Sequence, residues 1–211
     1  IKTYENTRGL QRKIAKGTAR IIRATISRGF NYWHVSFTVY EKRRIPETHR
    51  NPGSVVGIDM GVGDHVIVAA NPHGDEVMRR GLPTTIVDHD KRIRHLQRKM
   101  SRKRGPDKRT KTAPSNRWVR ANNQIRKHYN TMVNVRRDFA AKAAHGLAKN
   151  YETVVVEDLN VRAMMVRGGA YKRGLNRAIA QASFADLRRR ITYKTPVSYT
   201  HLRAHETEAD L

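Results

Sequence analysis

The 211-residue sequence predicts a mixed α/β fold in which a sheet is interrupted by long helices. Three observations lead there. Short apolar, β-branched runs separated by Gly-containing turns follow one another between Val55 and Arg80. From about Thr85 the apolar residues recur at helical spacing, and a lone apolar run, "VVV" at 154–156, is followed by a further helical stretch. The order is strands, helices, strand, helix.

In chain order, the opening carries "ARIIRATIS", where apolar and basic residues mix, and then "FNYWHVSFTVYEKRR". There Tyr32, His34, Ser36 and Thr38 alternate with Trp33, Val35, Phe37 and Val39, the period of a strand. With "SRGFN" as the turn, residues up to about Arg50 form a hairpin from a small barrel or sheet, followed by the Pro-containing linker "IPETHRNPGS". "VVGIDM" and "HVIVAA" are two strands joined by "GVGD", and "NPHGD" turns into a third, "EVMRR"; consecutive antiparallel pairing is the economical arrangement. Ile86, Ile93, Leu96 and Met100 then mark one helix, and Trp118, Ile125, Tyr129, Met132, Val133, Phe139, Ala143 and Leu147 a second. Gly and Pro in "RKRGPDKRTKTAPSN" separate them. "YETVVVEDLN" is a strand, "VRAMMVRGGAYKRG" a basic loop, and Leu175, Ile179, Ala182, Phe184 and Leu187 line one face of a last helix. Trp118 and Phe139 read as core residues.

Two acids stand out because they sit in or directly after apolar strands. An unpaired buried carboxylate costs several kcal/mol, so Asp59 and Glu157 need a cation, a donor set or a metal to compensate them. The helical excursion between them has the length that lets two strands lie side by side in parallel, which would bring both carboxylates to one interstrand gap. Pairing with an arginine explains each acid singly. Together in so basic a chain, they also match phosphodiester chemistry, in which carboxylates hold Mg²⁺ or Mn²⁺.

The charge balance points to the partner. Lys and Arg number 43 against 18 Asp and Glu, a formal net charge of +25 that calls for a polyanion, and nucleic acid is the usual one. From Lys91 to Lys111, 11 of 21 residues are basic, which nominates Arg98, Lys99, Arg102, Lys103, Arg104, Lys108, Arg109 and Lys111 as phosphate contacts. No stretch approaches the ~20 apolar residues of a membrane span and the opening has no charged-then-apolar leader, so no membrane partner and a cytoplasmic protein are expected. The absence of cysteine excludes disulfides and a Cys-ligated zinc.

"VVGIDMGVGDHVIVAA", "VVVEDLNVRAMM" and "LNRAIAQASFADLRRRITYK" resemble three successive blocks of the TnpB family, the OrfB-type transposases related to type V CRISPR effectors. "ATISRGFNYWHVSFTVYE" resembles the end of that family's wedge barrel. The resemblance, from about residue 10 to about 195, implies an RNase H-like, RuvC-type nuclease domain that cuts DNA under the direction of a guide RNA. It implies Asp59 as the first catalytic carboxylate and Glu157 as the second, each a ligand of the divalent metal, and gives no such role to Asp158. The basic helices would help hold guide RNA and target DNA, read through backbone geometry.

The resemblance also sets the expected organisation: residues 1–50 as part of a wedge-type β-barrel, 51–195 as a RuvC-like domain incomplete at its C-terminal end, and 196–211 as a foreign tail. The family's zinc ribbon and third catalytic aspartate have no counterpart here. Weak metal binding, feeble cleavage by this chain alone and an unpaired sheet edge are therefore expected. "HLRAH" places His201 and His205 at a spacing that shares a metal on a helix, though no glutamate lies between them. The alternative is a non-catalytic basic RNA- or DNA-binding module derived from such a transposon protein. An actin-like phosphotransferase is disfavoured because no second Gly-rich phosphate loop is present.

Overall fold

The computed structural model describes residues 6–29, 33–42, 47–166, 169–194 and 201–205, which fall into two compact units dividing at Ile45 and Pro46. In the first unit, helix α1 (Arg8–Ala15) precedes strands β1 (Ala19–Arg28) and β2 (Trp33–Glu41), which pair antiparallel with an irregularity between Ile21 and Arg23. The hairpin follows the alternation read from the sequence; the central residues of its turn, Phe30 to Tyr32, lie outside the described residues. Helix α1 was not anticipated. Leu10 and Ile14 give it only one apolar i, i+4 pair, and an ion pair from Lys13 to Glu41 links it to β2. Cross-strand cation–π contacts of Arg20 with Tyr40 and Arg28 with Trp33, at 5.4 and 5.8 Å, decorate the ribbon.

The second unit is built on a five-stranded mixed sheet. Strands β3 (Val55–Asp59), β4 (Ile67–Ala70) and β5 (Glu76–Arg80) run antiparallel in succession, as the turn chemistry requires. Helices α2 (Thr84–Ser101) and α3 (Asn116–Asn150) then carry the chain away and back to β6 (Thr153–Glu157), which pairs parallel with β3. Helix α4 (Val161–Met164) is a single turn, capped by the Asn160 side chain accepting from the Ala163 amide at 3.0 Å. The last helical stretch is two helices, α5 (Ala170–Ala182) and α6 (Phe184–Lys194), because Ser183 takes a left-handed φ of 54° that ends the first.

Residues 201–205 correct one expectation. They form strand β7 (His201–His205), parallel to β6, so the sheet order is β5-β4-β3-β6-β7 and the edge expected to stand unpaired is covered. His201 and His205 are thus four residues apart on an extended chain, roughly 13 Å, rather than one helical turn apart, so the helical spacing that can share a metal is not realised. The rest of the expected tail, 196–200 and 206–211, lies outside the described residues.

The main core lies on one face of this sheet. Val56, Ile58, Val154 and Val156 meet Ala140, Ala143, Ala144 and Leu147 of α3 and Ile179, Phe184, Leu187 and Ile191 of α5 and α6. The alanines of α3 are buried in this core, and a fully buried Phe184 or Leu187 contributes about 1.5–3 kcal/mol. Phe139 packs at the margin of this core and Trp118 is half-buried, whereas Tyr129, expected on the apolar stripe, is 44% exposed. A second cluster zips α2 to α3 through Ile86, Ile93, Ile125 and Met132, with Leu96, Met100 and Val135 alongside. Among the described residues no helix is long and apolar enough to cross a membrane.

Candidate active site and nucleic-acid interface

Strand alternation decides where the two acids go. Val56 and Ile58 of β3, and Val154 and Val156 of β6, are buried in the main core, so Asp59 and Glu157 belong to the opposite face. Ile58 pairs with Val156, which makes Asp59 and Glu157 the next positions on neighbouring parallel strands, roughly 5 Å apart across the sheet. Asp59 is exposed and Glu157 half-buried. Neither side chain has an ion-pair or hydrogen-bond partner among the described residues, whereas the adjacent Asp158 is taken by Arg188. The arginine explanation thus holds for Asp158 and for neither of the paired acids.

The register that joins them is fixed at the other end of the strands, by residues that the sequence reading assigned to a linker. Ser54 Oγ donates to the Asn51 carbonyl at 2.6 Å, with the Asn150 carbonyl 3.3 Å away, and accepts from the Glu152 amide at 3.0 Å, and the Thr153 amide donates to the Ser54 carbonyl at 2.9 Å. Glu152 Oε2 accepts from the Gly53 amide at 2.6 Å, Asn51 Nδ2 donates to the Asn150 carbonyl at 2.9 Å, and the buried His49 ring lies 3.3 Å from the Ala148 carbonyl. This clamp pins the start of β3 to the end of α3 and the start of β6. Sliding β6 by one residue would break the clamp and turn Glu157 to the other face. The signal in the sequence was the polar run "HRNPGS" abutting a strand.

Two neighbouring carboxylates without cationic partners form a donor set of hard oxygens, the chemistry that suits Mg²⁺ or Mn²⁺. Among the described residues no group of three or more His, Asp or Glu side chains is gathered for a metal.

The nominated basic residues lie at the far end of the α2–α3 hairpin. Arg98 and Lys99 occupy the last turn of α2, and Arg102, Lys103 and Arg104 follow it; all are exposed except the half-buried Lys103, whose Nζ donates to the Lys99 carbonyl at 3.1 Å. Lys108, Arg109 and Lys111 project from a tight loop closed by the Asp107 amide donating to the Thr112 carbonyl at 3.1 Å. Asp107 is held below the usual carboxylate range by the Thr110 side chain and by the amides of Arg109 and Thr110. Ser115 caps α3 by accepting from the Trp118 amide at 3.3 Å and donates to the Arg104 carbonyl, and a Cβ on Gly105 would come 3.1 Å from Trp118 Nε1. The apex is therefore a built, strongly basic surface whose carboxylate, Asp107, is engaged within its own loop.

Further down the hairpin, His89 of α2 and His128 of α3 face each other with Nδ1 atoms 2.8 Å apart and rings in edge-to-face contact. Burial, then the charges of His89, Arg92 and Lys127, hold His128 below the usual imidazole range.

A family model for OrfB_IS605 proteins, described as probable transposase, matches residues 37–167, more than half of the sequence. The chain belongs to this transposase family. OrfB_IS605 membership agrees with the TnpB resemblance of the three blocks, and similar proteins carry names to match. Two Mycobacterium tuberculosis proteins, from strains CDC 1551 and H37Rv, are each 30% identical over 198 residues, and InsQ of Escherichia coli K12 is 26% identical over 187; all three are named as candidate RNA-guided DNA endonucleases. The match takes in 92%, 92% and 84% of this chain, which spans only 41%, 41% and 42% of those relatives. Among solved structures, a Cas12f1–sgRNA–target DNA complex contains a chain that matches 97% of this one with a TM-score of 0.56 at 16% identity, over 39% of its own length. That likeness concerns the fold.

Proposed function

We propose that this OrfB_IS605 chain is the greater part of an RNase H-like, RuvC-type nuclease module from a transposon-encoded RNA-guided DNA endonuclease, preceded over residues 1–50 by part of a wedge-type β-barrel. The observation that carries the reading is the parallel β3–β6 register, which sets Asp59 beside Glu157 on the face away from the core. The names of the similar proteins support the same reading.

In this reading Asp59 and Glu157 hold a divalent cation, Mg²⁺ or Mn²⁺, which when bound supplies the charge that activates a water and stabilises a leaving phosphate oxygen. The carboxylates themselves are positioned by the Ser54–Glu152 clamp. Arg188 keeps Asp158 occupied, so the carboxylate next to Glu157 does not compete for the ion. Arg98, Lys99, Arg102, Lys103, Arg104, Lys108, Arg109 and Lys111 contact the phosphates of guide RNA and target DNA, and the sheet face bearing Asp59 and Glu157 receives the strand to be cut.

A second reading, a basic nucleic-acid-binding module without catalysis, is favoured by one observation: the described residues bring two carboxylates together and no third ligand. Calorimetric titration of the 211-residue chain with Mn²⁺ separates the two. Binding weakened at least about tenfold in both Asp59→Asn and Glu157→Gln supports the nuclease reading. Titration curves unchanged by either substitution would refute the metal role and leave the binding module.

A further inference from the structure

The α2–α3 hairpin carries a feature that the apex contacts leave unused. Ile86, His89, Ile93, Leu96 and Met100 of α2, and Ile125, His128, Met132 and Val135 of α3, follow three- and four-residue spacing along the seam. Where the other layers are aliphatic, one layer consists of the two imidazoles. A cavity of about 550 Å³ opens beside it, lined by Lys91, Arg92, His95, Gln124, Lys127 and His128 together with Leu96. Of the two carboxylates on this stretch of α2, Asp90 is engaged by Arg94 at 3.1 Å, and Asp88, one residue before His89, forms no ion pair among the described residues. Lys91, Arg92 and Lys127 have no carboxylate partner among the described residues. Three uncommitted cations, two imidazoles and an amide around one groove form an anion seat.

We propose that this groove seats a phosphodiester of a bound nucleic-acid strand and that the His89–His128 pair takes up a proton when it does. The inference rests on the nucleic-acid reading above but concerns different residues from the apex. With Nδ1 facing Nδ1, one ring donates its N–H and the other accepts, so the neutral pair holds one shared proton between the rings. An added proton therefore goes from solvent to the Nε2 of the donor ring and leaves the hydrogen bond intact. His128 is that ring because it lines the groove. The groups facing it are His89 and Arg92 from α2 and Lys127 from its own helix, with Lys91 and His95 across the groove. Burial and these charges hold His128 below the usual imidazole range when the groove is empty; a phosphate reverses the local sign and favours its imidazolium. Nucleic acid then binds more tightly as the pH falls, by up to about tenfold if the His128 pKa rises by about one unit.

The test is fluorescence anisotropy with a labelled oligouridylate of about 20 nucleotides and the full chain, between about pH 5.5 and 7.5 at fixed salt. Three variants are compared with the wild type: His128→Gln, Lys91→Ala combined with Lys127→Ala, and an apex variant replacing Lys108, Arg109 and Lys111 by Ala. The expected result is a three- to tenfold pH dependence, roughly, that His128→Gln and the groove variant flatten and the apex variant retains. A thermal melt of His128→Gln checks folding, and an NMR titration of the wild-type His128 imidazole, with and without oligonucleotide, reads the upward pKa shift without any substitution. If the apex variant weakens binding while the His128 titration does not move on adding oligonucleotide, the proton-linked seat is wrong and the nucleic-acid reading stands. If the wild type does not bind at any pH, both fall.

Discussion

Replacing Lys108, Arg109 and Lys111 together by alanine tests the apex with a magnitude set by the structure. All three side chains are exposed, while the loop that carries them is closed by backbone and Asp107 contacts that the substitutions leave in place. The variant should therefore fold normally and lose only charge. Each phosphate contact to a single strand contributes roughly 0.7 to the slope of log K against log salt, so three contacts contribute about 2. Over a fourfold rise in salt, from about 50 to about 200 mM, the wild type should lose about twentyfold more affinity than the variant. Anisotropy titrations of a labelled oligonucleotide at several salt concentrations measure both slopes. Parallel slopes for the two proteins would show that these residues do not touch phosphate and would remove the apex from the interface.

Two further predictions concern the scaffold. Leu147→Ala, at a fully buried position between α3 and the sheet, should cost about 2–5 kcal/mol in urea unfolding, and a loss below about 1 kcal/mol would mean that α3 does not hold the sheet as described. Burial of Asp186 works against its ionisation but is outweighed by hydrogen bonds from Arg190, at 2.9 Å, and Arg189, leaving its folded carboxyl below the usual range. Its contribution is complete above the unfolded carboxylate pKa of about 4 and lost as the pH falls through the lower folded value, so the stability gap between wild type and Asp186→Asn should shrink in acid; a gap constant down to about pH 2 would refute the ion pairing.

Much of the molecule was legible because its signals are local. The turns at 61–64 and 71–75, the strand runs, the helical periods of α2 and α3 and the dense basic charge near the apex each depend on a few neighbouring residues, and each is found where the sequence places it. The parallel adjacency of β3 and β6 was also readable, from the length of the excursion between them. Helix α1 escaped notice because one i, i+4 apolar pair is too weak a period to register, and the α5–α6 division because Ser183 takes a conformation more usual for glycine. Strand β7 was not foreseen because residues 196–211 read as a foreign tail, and only pairing with β6 reveals it.

By itself the sequence determined the class of fold, the basic character of the surface and the two acids worth weighing, since composition and periodicity need no knowledge of distant contacts. The tertiary structure alone decided that the side chains of Asp59 and Glu157 have no partners among the described residues while Asp158 is claimed by Arg188. It alone turned an apparent linker into the clamp of His49, Asn51, Ser54 and Glu152, and stacked His89 against His128 from helices far apart in the chain. The reason is physical: hydrogen bonds and charge contacts across about a hundred residues of chain depend on register and packing, and register is a property of the assembled sheet and hairpin rather than of any single segment.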